Sequence, residues 1–197
     1  VQIAGGIPVH HPMHPETFQL DDTLVEKVNE KTRMIIINTP SNPSGVILNN
    51  DSLRLVADIC QDHDLIVISD EIYEKLTYGK IHVSIGSFPG MEDRTVTVNG
   101  FSKAYAMTGW RLGYAVASKE IIAYMNKVQQ HTISHPTTFA MYGGVAALKG
   151  PQECVEEMRY EFERRRSFVL KSMDEMGLSY APADGAFYAY VKVDGDD

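Results

Sequence analysis

The sequence predicts an α/β fold of three layers, in which helices flank a mostly parallel β-sheet. Three short apolar runs, "MIIIN" at 34–38, "LIVIS" at 65–69 and "TVTV" at 95–98, are rich in β-branched residues. Such runs are typical of strands that are buried on both faces. A helical pattern lies between the first two runs, and a strand, a helix and a strand at this spacing indicate a βαβ unit with parallel strands.

The first predicted helix covers residues 51–62, because apolar residues recur there at i, i+3, i+4 and i+7. We expect Asn50 or Asp51 to cap its start. The later pattern predicts a fourth strand at 112–118, helices at 119–130, 137–149 and 152–176, and a further strand at 185–193. Gly177 is expected to end the last of these helices.

The chain is expected to contain one large domain and the beginning of a second one. We assign residues 1–150 to the large domain, 151–180 to a long connecting helix and 181–197 to the start of a small α/β domain. Both ends, "VQIAGGIPVH" and "YVKVDGDD", resemble mid-domain sequence. The chain is therefore expected to be part of a larger protein.

Composition narrows the possible partners. The net charge of −8 argues against nucleic acid, since a phosphate backbone attracts basic surfaces. Arg164, Arg165 and Arg166 are predicted to lie on a solvated helix face. No apolar run approaches the about 20 residues that a membrane helix needs, so we expect no membrane partner. Cys60 and Cys154 are expected to be buried free thiols, which fits a cytoplasmic location.

Polar side chains follow the ends of neighbouring predicted strands, where open parallel sheets bind their ligands. The first strand leads to Asn42, the second to Asp70 and Tyr73, and the third to Lys103. Arg111 is expected to begin the next strand. Each of these residues alone is more often a turn former, a cap or a surface charge. Together they indicate one binding site.

The set matches the needs of pyridoxal phosphate. A shielded amine such as that of Lys103 can attack the cofactor's carbonyl and form a Schiff base. A carboxylate such as Asp70 keeps the proton on the pyridine nitrogen. Tyr73 and Asn42 can donate hydrogen bonds to the ring's phenolic oxygen, and the guanidinium of Arg111 suits the phosphate.

Three motifs, "NTPSNPSG", "VISDEIYEKLTYG" and "NGFSKAYAMTGWRLGY", together resemble the class I/II pyridoxal-phosphate aminotransferases, the aspartate aminotransferase superfamily of fold type I. The resemblance extends from "GGIPV" through "GAFYAYV". It implies the large domain of this fold in a homodimer that transfers an amino group between an L-amino acid and a 2-oxo acid. The substrates it implies are those of the aspartate and aromatic aminotransferases.

The resemblance also implies a role for each residue of the set. Lys103 holds the cofactor and then moves the substrate's α-proton, and Asp70 pairs with the pyridine nitrogen. Tyr73 and Asn42 contact the ring oxygen, and Asn42 also helps to hold the substrate carboxylate. Arg111 binds the cofactor phosphate.

The chain departs from the family pattern in three places. The family often has a hydroxyl three residues before the lysine, where this chain has Gly100, and Ser102 is the alternative phosphate ligand. The family's N-terminal phosphate loop with its ring-stacking aromatic residue has no match here. Neither does the C-terminal arginine that binds the substrate's α-carboxylate. We therefore expect a large-domain fragment.

Other functions remain open at this point. A pyridoxal-phosphate C–S lyase uses nearly the same residues, and an aminotransferase-like domain can act as the ligand sensor of a transcription regulator. A non-catalytic scaffold is a third alternative. The histidines at 10, 11 and 14 could suggest zinc, but Pro12 and Pro15 keep that stretch extended, so we expect no metal site.

Overall fold

The structure is a computed structural model that describes residues 1–193. Its sheet has four strands in the order β1 (Met34–Asn38), β2 (Ile66–Asp70), β3 (Thr95–Gly100) and β4 (Gly113–Val116). The first three strands are parallel, and β4 is antiparallel to β3. The predicted α/β fold with a mostly parallel sheet is therefore confirmed.

The register of the sheet brings the ends of the four strands to one edge. Asn38 pairs with Asp70, and Asp70 pairs with Val98, so the carboxyl ends of the three parallel strands coincide. Gly100 pairs with Gly113, which brings the amino end of β4 to the same edge. These four strand ends and the loops attached to them carry all the predicted site residues.

Helix α1 (Asn50–Asp62) connects β1 to β2 and begins one residue earlier than predicted. Its cap is Asn49, whose side-chain oxygen accepts a hydrogen bond of 2.8 Å from the backbone N–H of Ser52. The prediction that Asn50 or Asp51 caps the helix is wrong, because both residues lie inside the first turn.

The apolar face of α1 covers one face of the sheet. Leu53 and Val56 are fully buried and belong to the same core as Ile37 of β1 and Val67 of β2. Burial of a Leu or Val side chain contributes about 1.5–3 kcal/mol to folding. This packing anchors the first two strands, whose ends carry Asn38 and Asp70.

Three further helices follow close to their predicted bounds, and they are α2 (Lys119–Thr132), α3 (Thr138–Lys149) and α4 (Glu153–Glu175). Gly177 follows α4 with φ of 70°, a left-handed conformation that suits glycine after a helix. Within residues 1–193, no helix combines the length and the apolarity that a membrane crossing requires.

The predicted strand at 185–193 is wrong. The segment makes only two isolated bridges within the described residues, one between Thr77 and Gly185 and one between Tyr180 and Val191. Ala186 has φ of 57°, which interrupts the extended backbone, and its N–H donates 2.8 Å to the carbonyl of Leu76. The domain boundaries at residues 150 and 180 stay a prediction.

The two cysteines are free, as expected, but only one is buried. Cys60 is fully buried in α1, whereas Cys154 is exposed at the start of α4. The prediction of burial is wrong for Cys154, because the neighbouring Val155 is the residue that points into the protein. Burial raises the pKa of the Cys60 thiol to about 11.

We expect Asn49→Ala to lower the free energy of unfolding by about 1 kcal/mol, because the Ser52 N–H loses its cap. Asn50→Ala is the matched control, since this exposed side chain caps nothing and alanine favours the helix interior. Urea unfolding of the complete protein measures both changes. An equal loss in the two variants would contradict the cap.

We expect Cys60 to react with a thiol reagent at pH 8 about 100-fold more slowly than an ordinary thiol, because its raised pKa suppresses the thiolate. Cys60 also favours the folded state below about pH 9, and this contribution is lost as the pH rises towards 11. Variants that keep only Cys60 or only Cys154 separate the two rates. Equal rates in folded protein would contradict burial of Cys60.

Candidate active site

Lys103 lies in the connection between β3 and β4, three residues after Gly100. Its side-chain nitrogen is 5.6 Å from the ring centroid of Tyr73 and 5.3 Å from that of Phe187. The residue is half-buried. The two rings shield part of the amine from water and leave it close to the carboxyl end of β2.

Tyr73 is the buried member of the site, with 2% of its surface exposed. Its hydroxyl shares a hydrogen bond of 2.5 Å with the hydroxyl of Tyr188. Burial raises the pKa of Tyr73 above its ordinary value, and the hydrogen bond to Tyr188 and the charge of Asp70 raise it further. The phenol therefore keeps its proton at neutral pH and can act as a hydrogen-bond donor.

Asp70 is the last residue of β2 and is half-buried. Its carbonyl accepts a hydrogen bond of 3.1 Å from the side-chain amide of Asn38 and one of 3.0 Å from the N–H of Thr39. One carboxylate oxygen accepts 3.3 Å from the N–H of Ile72. These contacts join the ends of β1 and β2 and hold Asp70 at the start of the turn that carries Tyr73.

Asn42 lies in the loop after β1, where the bonds preceding Pro40 and Pro43 are cis. Its backbone N–H donates 2.7 Å to the side-chain oxygen of Asn38, and its own side chain is exposed. Asn38 therefore connects the Asn42 loop to the end of β2. The sequence analysis missed Asn38, since a polar residue at a strand end carries no distinctive signal.

Arg111 and Ser102 lie on the same connection as Lys103. The N–H of Phe101 donates a hydrogen bond of 3.3 Å to the carbonyl of Leu112. Ser102 directly follows Phe101 and Arg111 directly precedes Leu112, so both lie next to this backbone contact. Arg111 is exposed, and its guanidinium donates 2.8 Å to the carbonyl of Thr108. It has φ of 52° and precedes β4 by two residues, so the prediction that it begins the strand is wrong.

The structure thus brings three predicted residues together, and they are Asp70, Tyr73 and Lys103. The other three lie at the same edge of the sheet, Asn42 in the loop after β1 and Ser102 and Arg111 in the connection that also carries Lys103. Asn42 bonds to the side chain of Asn38 and Arg111 to the carbonyl of Thr108, rather than to the central three. The roles of all six remain predictions.

Two aromatic residues at the site were not singled out in the sequence. Phe187 packs edge-on against Tyr73 at 5.3 Å between ring centroids and stacks on Phe162 of α4 at 5.3 Å. Tyr188 provides the hydroxyl partner of Tyr73. Both belong to "GAFY", whose alternating pattern indicated only a strand. The contact with Tyr73 spans more than a hundred positions, and no local pattern reports it.

The arginine run of α4 is only partly solvated. Arg164 and Arg165 are exposed and pair with Glu161, as expected for an outer helix face. Arg166 instead lies 5.6 Å from the ring centroid of Tyr78 and donates a hydrogen bond to the carbonyl of Ala183. Arg166 therefore attaches α4 to the segment that carries Phe187 and Tyr188.

A cavity of about 210 Å³ lies between α4 and residues 183–189. Phe187 and Tyr188 line it, but Lys103 does not. The polar groups with the chemistry of a reactive site therefore stand beside this cavity rather than inside it.

The N-terminal histidines are engaged in local contacts. His11 lies 3.0 Å from the hydroxyl of Thr23, and His14 accepts hydrogen bonds of 3.3 Å from the N–H groups of Glu16 and Thr17. The side chain of His14 therefore stabilises the turn that follows it, whereas that of His11 contacts a residue twelve positions along the chain.

Comparison with known proteins identifies the family. The family model "Aminotransferase class I and II" matches residues 1–197. The aspartate aminotransferase of Pyrococcus abyssi is 47% identical over 98% of this chain and 51% of its own length. The aromatic-amino-acid aminotransferase 2 of Thermococcus litoralis is 44% identical, again over 98% of this chain and 51% of its own length.

Solved structures agree with this match. A double mutant of Thermus thermophilus aspartate aminotransferase superposes with a TM-score of 0.91 and 35% identity, over 96% of this chain and 50% of that chain. The aromatic aminotransferase of Pyrococcus horikoshii superposes with a TM-score of 0.85 and 48% identity, over 89% of this chain and 48% of that chain. The chain spans about half the length of the curated relatives it matches. Because the family model covers the chain from end to end, the protein belongs to the class I and II aminotransferases.

Proposed function

We propose that the complete protein transfers an amino group between an L-amino acid and a 2-oxo acid, with pyridoxal phosphate bound at Lys103. The observation that carries this proposal is the amine of Lys103 against the Tyr73 ring, at the strand end that holds Asp70. The relatives are named as aspartate and aromatic aminotransferases, and these names support amino acids of the same two classes as substrates.

The residues present fit the proposed cofactor. Pyridoxal phosphate needs an amine for its aldehyde carbon, an anion at its pyridine nitrogen and a donor for its phenolic oxygen. Lys103, Asp70 and Tyr73 offer these three groups at one strand edge. When bound, the cofactor supplies an aldehyde that condenses with amines and a ring that withdraws electrons from the substrate's α-carbon.

Lys103 has two tasks in this proposal. Its side-chain nitrogen would hold the cofactor at the aldehyde carbon when no substrate is bound. With substrate bound, the free amine would act as the base that takes the proton from the substrate's α-carbon and as the acid that gives it back. The Tyr73 and Phe187 rings limit where this amine can swing.

Asp70 and Tyr73 hold protons in place. The carboxylate of Asp70 stabilises a proton on the pyridine nitrogen, because an adjacent negative charge favours the cation. The raised pKa of Tyr73 keeps its phenol protonated, so it can donate to the ring oxygen while Tyr188 fixes its orientation. Asn42 is proposed as a second donor to the same oxygen.

The phosphate is assigned to the Lys103 loop. Arg111 has five N–H donors, so its bond to Thr108 leaves others for phosphate oxygens. Ser102 adds a hydroxyl on the same loop. We also assign a homodimeric state and a cytoplasmic location, which the family resemblance and the free, buried thiol of Cys60 support.

We expect borohydride reduction of the complete protein with pyridoxal phosphate to leave a covalent adduct on Lys103, located by peptide mass spectrometry. Lys103→Ala should lose the adduct and slow amino transfer by about 1000-fold or more. Lys75→Ala is the control, because this exposed lysine lies near the same strand edge. An adduct formed mainly at another lysine would refute the assignment.

We expect Asp70→Asn to weaken pyridoxal phosphate binding about 10-fold and to slow amino transfer about 100-fold, because an amide cannot stabilise the pyridinium proton. Asp58→Asn, an exposed change on α1, should leave both unchanged. Amino transfer is measured with and without a 2-oxo acid. Release of thiol and pyruvate from a sulfur-containing amino acid, without dependence on the 2-oxo acid, would indicate a lyase instead.

A further inference from the structure

A second carboxylate lies directly after Asp70 and is one of the most buried charged groups in the described chain. Glu71 has 1% of its surface exposed. One of its carboxylate oxygens accepts a hydrogen bond of 2.9 Å from the hydroxyl of Ser69 and one of 2.7 Å from the hydroxyl of Ser84. The other oxygen lies 2.9 Å from Nε2 of His82, whose side chain is 6% exposed. The proposed chemistry uses none of these four residues.

The hydrogen bonds define the state of this network. Both serine hydroxyls can donate to the carboxylate, and an ionised carboxylate can only accept. Nε2 of His82 therefore carries the hydrogen that faces Glu71. Among residues 1–193, Nδ1 of His82 is buried without a partner, and Glu71 is the group that holds the imidazole by hydrogen bonding.

A metal ion explains this cluster poorly. Glu71, Glu74 and His82 place ligand atoms within 4.8 Å of one another. However, both oxygens of Glu71 are already engaged by three donors. A cation bound through Nε2 of His82 would have to displace the hydrogen that this nitrogen shares with Glu71. Both oxygens of Glu71 have donors without a cation.

The location of the network relates it to the candidate site. Side chains alternate along a strand, so Ser69 and Glu71 lie on the face opposite to Asp70. The N–H of Glu71 donates 2.9 Å to the carbonyl of Val98, which continues the pairing of β2 with β3. The carbonyl of Glu71 accepts 2.9 Å from the N–H of Glu74, which closes the turn that carries Tyr73.

We propose that Glu71 and His82 are positioning residues, which hold the end of β2 so that Asp70 and Tyr73 keep their places against Lys103. His82 and Ser84 belong to the connection that leads into β3. Their hydrogen bonds to Glu71 therefore join this connection to the end of β2, on the face opposite to Asp70. A shift of about 1 Å in a reacting group can reduce a rate 100-fold. This inference rests on the proposed function, because it assigns the pair to the cofactor site.

His82→Leu removes the donor to the second carboxylate oxygen of Glu71 while it preserves much of the side-chain volume. In the complete protein we expect it to weaken pyridoxal phosphate binding about 10-fold and to shift the absorbance maximum of the bound cofactor. His82→Gln should restore binding to within about 3-fold, because its Nε2 can still donate to Glu71. Glu74→Gln is the control and should match the unchanged protein in both measurements.

Ser84→Ala provides a milder test if His82→Leu does not fold. It deletes one donor and keeps the Glu71–His82 pair, and we expect binding to weaken about 3-fold. The thermal midpoint of each variant without cofactor is measured in parallel. A lower midpoint with unchanged binding and an unchanged cofactor spectrum would overturn the proposal, since the network would then serve stability alone.

Asp70→Asn separates this inference from the proposed function. If Asp70→Asn weakens binding but His82→Leu and Ser84→Ala do not, only the positioning role fails. If Asp70→Asn binds the cofactor as tightly as the unchanged protein, the proposed cofactor site itself fails.

Discussion

The parallel pairing of β1, β2 and β3 is the constraint on which the candidate site depends. Its register aligns Asn38, Asp70 and Val98 across three strands, so residues distant in sequence leave the sheet at one edge. Backbone hydrogen bonds impose this alignment, and the α1 core keeps the strands in place. The antiparallel β4 then returns the Lys103 loop to the same edge.

Burial gives the strand-end groups distinct properties. The phenol of Tyr73 is buried among aromatic rings, which keeps it protonated and leaves Tyr188 as its partner. Asp70 and Glu71 are neighbours in sequence, yet alternation along the strand sends them to opposite faces. Asp70 lies near Tyr73, whereas the carboxylate of Glu71 is hydrogen-bonded to His82. Two adjacent carboxylates can thus serve different purposes because the backbone between them is extended.

Much of the fold followed from local patterns. The apolar runs predicted three strands, and the helices fell within a few residues of their expected bounds. The prediction that all three strands are buried on both faces is wrong for β1, because Met34 and Ile36 are exposed. Local rules failed where a long-range contact competed with them. Ala186 leaves the extended conformation because its backbone bonds to Leu76. Cys154 is exposed because the packing of α4 selects Val155 instead.

The sequence by itself determined which chemical groups stand at the strand ends, because residue type and the order of strands and loops are local properties. Asp70, Tyr73 and Lys103 could be chosen on that basis. Only the tertiary structure decided which groups touch. The contacts of Tyr73 with Tyr188 and of Lys103 with Phe187 join segments far apart along the chain, as does the bridge from Asn38 to Asp70. Such contacts arise from packing and strand register, which no single stretch of sequence encodes.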